Sequence, residues 1–154
     1  MIHTLEPIIR EHPFFRDLEE GHIKIIVGCA KSVRFDAGQA LLREGEEANQ
    51  FFLIREGLVS VSITVPPAGS QILQTVSAGE MLGWSWLFPP HRWHFDAHAV
   101  ESTRALAFDG KCLRNKCEAD HDLGYEFLKR FSRIVTQRLE ATQLQLLDLY
   151  ETRT

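Results

Sequence analysis

Between Leu58 and Gly79 the chain carries no charged residue, and within that stretch Val59, Val61, Ile63 and Val65 alternate with Ser60, Ser62 and Thr64. A period of two sends successive side chains to opposite faces of an extended backbone, so this run predicts a strand with one buried face. Pro66-Pro67-Ala68-Gly69-Ser70 breaks the alternation and Gln71–Val76 resumes it, which predicts a hairpin closed by a five-residue loop. Shorter extended runs precede it at Lys31–Phe35, Ala40–Arg43 and Gln50–Arg55, separated by Gly38, Gly45 and Gly57, and follow it at Ala97–Val100 and Arg104–Phe108. Many short strands with glycine turns between them predict an antiparallel sandwich or roll.

The period changes at both ends. Asp17-Leu18-Glu19-Glu20 puts an acceptor at an N-cap and a glutamate three residues on, predicting a helix over Leu18–Ala30 with Ile23, Ile26 and Val27 inward. From Asp120 onward Leu128, Phe131, Val135, Leu139, Leu146 and Leu149 recur at spacings of three, four or seven, while Lys129, Arg130, Arg133, Arg138 and Glu140 take other faces. This helix extends to about 28 residues, or ~42 Å at 1.5 Å per residue, more than a small roll needs as cover. Part of its apolar stripe is therefore a candidate dimer seam.

Composition narrows the class. The 154 residues suit one domain, and 44% hydrophobic with 25% charged residues is the balance of a water-soluble globular chain. A formal charge of −4 argues against a polyanion-binding surface, because nucleic-acid affinity comes largely from Lys and Arg displacing counterions. No apolar run reaches the ~18 residues of a membrane span, and the N-terminus has no basic region followed by an apolar stretch. Cys29, Cys112 and Cys117 are odd in number and lack framework spacing, which predicts free thiols in a reducing, cytoplasmic compartment.

The stretch Phe35-Asp36-Ala37-Gly38 through Leu41-Leu42-Arg43-Glu44-Gly45 to Phe51-Phe52-Leu53-Ile54-Arg55-Glu56-Gly57, followed by Ala78-Gly79-Glu80-Met81-Leu82-Gly83 and Leu87-Phe88, resembles the cyclic-nucleotide-binding domain of Crp/Fnr-type regulators. The likeness covers about Phe14 to Tyr150 and implies a mainly β fold with flanking helices: a double-stranded antiparallel β-helix of jelly-roll, cupin-like form, with N-terminal helices and a long C-terminal dimerisation helix. The expected division is a helical part at 1–30, a β roll at 31–109 and C-terminal helices at 110–154, all within one domain spanning 1–154. Gly38, Gly45 and Gly57 are expected to make turns rather than ligand contacts.

The resemblance also locates a phosphate-binding cassette, a short helix with N–H groups aimed at a cyclic phosphate, a glutamate on the ribose hydroxyl and an arginine on the phosphate. Gly83 is kept, but Trp84 stands where the family has its glutamate, and an indole donates one hydrogen bond without accepting one. The arginine position falls on or near Trp93, with Arg92 next to it. Adjacent residues of an extended chain face opposite ways, so a one-residue shift aims Arg92 at solvent unless a bulge at Pro89-Pro90 changes the register. Without that countercharge a buried cyclic phosphate would cost several kcal/mol. Trp84, Trp86 and Trp93, with Phe88 and Phe95, either fill the pocket or form an aromatic cage for another planar or cationic ligand. Ser85 is a weak ligand candidate at the helix N-terminus, helix capping being the duller role.

Other chemistry is thinner. His91, His94 and His98 with Asp96 offer metal-ligand types, but their spacing suits a helix face and the segment should be extended, so surface or hydrogen-bonded imidazoles are expected and no metal. Cys112-x4-Cys117 followed by His121 fits no zinc spacing, and the cysteines read as helix-packing residues. No nucleophilic triad order or Walker loop stands out. The sequence reads up to Thr154 without the helix-turn-helix that follows the long helix in Crp/Fnr-type regulators. The expectation is a non-enzymatic regulatory module without cofactor. Gly83, Trp84, Ser85, Arg92 and Trp93 are the ligand-binding candidates for an unidentified small molecule. The expected partners are a second copy through the last helix and a regulatory protein; direct DNA binding and membrane insertion are not expected.

Overall fold

The computed structural model describes residues 2–152. Two N-terminal helices, α1 (Ile2–Glu11) and α2 (Glu20–Gly28), are joined through a 3-10 turn at Pro13–Phe15. Eight strands follow: β1 (Ala30–Phe35), β2 (Ala40–Leu42), β3 (Gln50–Glu56), β4 (Leu58–Val65), β5 (Gly69–Ser77), β6 (Met81–Leu82), β7 (Asp96–Ala99) and β8 (Thr103–Asp109). Helices α3 (Gly110–Ala119) and α4 (His121–Thr152) complete the chain. The strands form two antiparallel four-stranded sheets, ordered β1-β8-β3-β6 and β2-β7-β4-β5, which is the β roll with flanking helices that the strand pattern and the resemblance imply.

Strand β3 shows how the layers stack. Phe51, Phe52, Leu53 and Ile54 are all buried, so β3 is covered on both faces rather than on alternate residues. Phe52 meets Phe35 with ring centroids 5.8 Å apart, whereas Phe51 stacks on Phe108 at 4.6 Å and on Trp86 at 4.7 Å. Phe51 also receives the edges of Phe127 and Phe131 from α4. One aromatic layer therefore joins the first sheet, the cassette and the last helix.

Local chemistry moves several boundaries. Asp17 has φ +66° and is not the cap; α2 starts later, at Glu20, with Glu19 as an N-cap that makes no side-chain bond. The β4–β5 pairing continues to Val65 opposite Gly69, leaving Pro66–Ala68 outside the ladder, a tighter loop than the five residues expected. Asp120 separates α3 from α4, its Oδ1 accepting the N–H groups of Asp122 and Leu123 at 3.1 and 3.3 Å. Gly57 is dictated sterically as well as by its φ of +102°: a Cβ there would lie 2.5 Å from Thr103 Oγ1 and 2.6 Å from the Ser102 carbonyl oxygen.

The predicted stripe of α4 divides into two. Phe131 belongs with buried Leu123 and Phe127 on the face against the domain, while Leu128, Leu139, Leu146 and Leu149 are exposed. Residues 139–151 are exposed throughout. No helix among the described residues is long and apolar enough to cross a membrane.

Candidate functional site

The cassette follows β6, which is short because its pairing with β3 ends at Leu82. Gly83, at φ +92°, turns the chain into the segment Trp84–Leu87, closed by the Leu87 N–H donating to the Trp84 carbonyl at 3.1 Å. The segment returns through Pro89-Pro90, and His91 at φ +57° redirects it toward β7.

Hydrogen bonds to the neighbouring turn fix what comes next. The Trp93 N–H donates to the Glu46 carbonyl at 3.0 Å, and the Gly45 N–H donates to the Trp93 carbonyl at 2.9 Å. With its backbone held there, the Trp93 indole points into the roll and is 7% exposed. Arg92, one residue earlier, is exposed, its backbone pairs with that of Glu47 in an isolated antiparallel β-bridge, and its side chain donates through Nη1 to the Gly45 carbonyl at 3.0 Å. The Trp93 ring lies so close to Gly83 that a Cβ on the glycine would sit 2.9 Å from Cη2 and 3.0 Å from Cζ3. The indole thus occupies the room that a side chain at Gly83 would need.

The remaining tryptophans take opposite sides. Trp86 is fully buried in the aromatic layer against Phe51, Phe127 and Phe131, and its carbonyl accepts a 2.6 Å bond from Arg114 Nη1 of α3. Its Nε1 is buried without a hydrogen-bond partner among the described residues. Trp84 is half-buried and faces α4, where the Arg138 guanidinium lies 5.0 Å from its ring centroid. Arg138 Nη2 donates to the Met81 carbonyl at 3.1 Å, and burial pulls its pKa below the usual arginine value. The space enclosed by Leu82, Gly83, Trp84, Trp93, Phe95 and Arg138 amounts to about 20 Å³.

Ser85 is buried at the edge of that space. His94 is exposed, and Asp96 is committed to the Glu44 N–H, its Oδ1 accepting at 2.8 Å. Among the described residues no three His, Cys, Asp or Glu side chains converge in a way that would hold a metal ion.

Gly83, Trp84, Ser85 and Trp93 therefore meet around one point, and Arg92 lies outside it. Sequence reasoning missed Arg138 and Arg114. Arg138 follows Phe131 by seven residues and Ile134 by four, so the inward period of α4 carried the signal. Arg114 had none, since its acceptors Ala48 and Trp86 lie far away in sequence.

A two-sheet roll, a glycine-led turn after β6 and a helix laid across it define the β-roll fold of the cyclic nucleotide-binding class. The family model of the cyclic nucleotide-binding domain matches residues 32–120, and the chain belongs to that family. Human cGMP-dependent protein kinase 2 is 29% identical over 76 residues, which is 49% of this chain and 10% of the kinase; the chain thus spans about a tenth of the curated relatives it matches first. A cyclic nucleotide-binding domain from Methylobacillus flagellatus superposes with TM-score 0.76 at 20% identity, over 95% of this chain and 82% of that one. A mutant regulatory subunit of a cAMP-independent protein kinase A from Trypanosoma brucei, bound to cAMP, superposes with TM-score 0.75 at 19% identity, over 94% and 51% of the two chains.

Proposed function

We propose that this chain is a non-enzymatic regulatory module whose cassette has given up the usual grip on cAMP and cGMP. The observation that carries the reading is the 20 Å³ left between Gly83, Trp84, Trp93 and Arg138, where a small-molecule pocket takes roughly 300 Å³ or more. Trp84 supplies no acceptor for a ribose hydroxyl, and Arg92 is spent on the Gly45 carbonyl on the outer side of the turn. A ligand of the space between Gly83 and Trp93 has to displace an indole or shift α4, and would act by favouring the displaced state. The roomier cavity of about 420 Å³ that adjoins it, between Trp84, Ser85 and Phe88 on one side and Ser132 and Val135 of α4 on the other, lies outside that space.

The second part of the reading is self-association through α4. Leu128, Val135, Leu139 and Leu146 recur at alternating seven- and four-residue steps, a coiled-coil spacing along a stripe that flanks the face of Phe127 and Phe131, with Val135 half-buried at its edge and the three leucines exposed. A second copy, rather than DNA, suits a chain of net charge −4.

Thermal shift and calorimetric titration with cAMP and cGMP test the first part. No stabilisation is expected, whereas a true ligand at a hundredfold over its Kd adds ~2.7 kcal/mol. Saturable binding lost in Arg92→Gln would overturn it. Sedimentation tests the second: the protein should run as a dimer and Leu139→Lys/Leu146→Lys as a folded monomer. A monomeric parent refutes the seam.

A further inference from the structure

Two of the three cysteines meet in space. Cys29 caps the C-terminus of α2 and Cys112 sits in the first turn of α3, 83 residues later, yet the Sγ atoms are 3.4 Å apart. The backbone holds them there. The Asp109 N–H donates to the Cys29 carbonyl at 2.9 Å, and Asp109 Oδ1 accepts the Cys112 N–H at 2.9 Å, so a single residue ties both cysteine backbones. Both side chains are half-buried and open onto a cavity of about 590 Å³ that Lys31 and Lys111 also line. Cys117, by contrast, is buried and does not line that cavity.

We propose that Cys29 and Cys112 are a redox-modification site, a dithiol that converts to an intramolecular disulfide by exchange with a small-molecule disulfide of the glutathione class. The thiolate of one cysteine attacks the reagent's S–S bond, forming a mixed disulfide and releasing one small thiol. The second cysteine, as thiolate, then attacks the mixed disulfide at the protein sulfur and releases the other. Two protein thiols are oxidised, one small disulfide is reduced to two thiols, and the two protein protons end on those products. Burial and the neighbouring Cys112 push the Cys29 thiol up to about 12, which keeps the attacking thiolate scarce and makes exchange slow.

The consequence reaches the cassette. Arg114, two residues beyond Cys112 on the same helix, holds the carbonyls of Ala48 and Trp86 at 2.9 and 2.6 Å. A covalent tie from α2 to α3 fixes that helix on the roll and with it the Trp86 end of the cassette. The bond also closes a long loop in the unfolded chain, the situation in which a cross-link stabilises most.

The experiment uses the full chain, reduced, freed of reductant and incubated with oxidised glutathione at pH 8. The expected product is 2 Da lighter than the fully reduced protein, takes up one equivalent of iodoacetamide at Cys117 after denaturation, and yields one Cys29–Cys112 cross-linked peptide. Its Tm should rise by roughly 5–15 °C and return with dithiothreitol. Cys117→Ser should form the bond and Cys29→Ser and Cys112→Ser should not, all three remaining folded by circular dichroism when reduced. Three free thiols after prolonged incubation, a stable glutathione adduct that never resolves, or a cross-link through Cys117 would each overturn the assignment.

Discussion

Replacing Trp93 with alanine tests whether the cassette is held shut by packing. The indole is 7% exposed, lies against Gly83 and leaves only about 20 Å³ of space beside it. Truncating a buried tryptophan to alanine removes its transfer free energy and leaves a void that the neighbours close only in part, at a cost of ~3–5 kcal/mol. In a chain of this size each kcal/mol lowers Tm by ~2–4 °C, so Trp93→Ala should melt roughly 6–20 °C below the parent while keeping its circular dichroism spectrum. The void is walled by Leu42, Val61 and Leu82 on one side and by Gln74, Ser85 and Arg138 on the other, a shape ready to take a flat guest with one polar edge. Indole added to the variant should restore part of the lost Tm in a saturable way, by ~2.7 kcal/mol at a hundredfold over its Kd, and should leave the parent unmoved. A drop of under 2 °C, or equal indole effects on parent and variant, would refute the reasoning that Trp93 is the plug.

Two further outcomes are expected. Gly57→Ala should cost more than ~2 kcal/mol in urea unfolding, because the new methyl at φ +102° meets the Ser102 carbonyl as well as Thr103, and an Ala as stable as the parent would contradict this contact. The bond from His22 Nε2, 2.9 Å away, and the Leu123 N–H hold the Asp120 carboxyl below the usual aspartate pKa. A carboxyl with a lower pKa folded than unfolded adds stability above its unfolded value, and loses it as pH falls through the folded one. The parent should therefore lose Tm below about pH 4 more steeply than Asp120→Asn, and parallel acid limbs would refute the linkage.

What the sequence disclosed followed from periodicity. Alternation in β4 and the glycines at Gly38, Gly45 and Gly57 are local properties that marked strands and turns, while the roll topology was what the resemblance implied. In β4 itself a bulge between Val61 and Ser62 turns Ser62 inward and leaves Val65 exposed, against the single buried face that the alternation predicts. The inward residues of α4 were equally periodic, but Phe131 and Leu139 look alike on a stripe, and only the packed domain decides that the first is covered and the second is not. Orientation inside the cassette was out of reach for a related reason. Whether Arg92 or Trp93 enters the roll depends on two backbone bonds to Glu46 and Gly45, which lie nearly fifty residues upstream. The juxtaposition of Cys29 and Cys112 comes from sheet register, Ala30 opposite Phe108, which no spacing of the cysteines encodes.

The seating of α4 gives it the geometry of a lever. Its first turns are clamped by Phe127 and Phe131, Arg138 closes over Trp84 just past the clamp, and residues 139–151 run clear of the core. From Ile134 to the end of the helix at Thr152 the arm is roughly 27 Å at 1.5 Å per residue, so a tilt of about ten degrees at the fulcrum carries the tip about 5 Å. Whatever prises Arg138 from its tryptophan thus arrives at the far end magnified, as a displacement about as wide as a side chain.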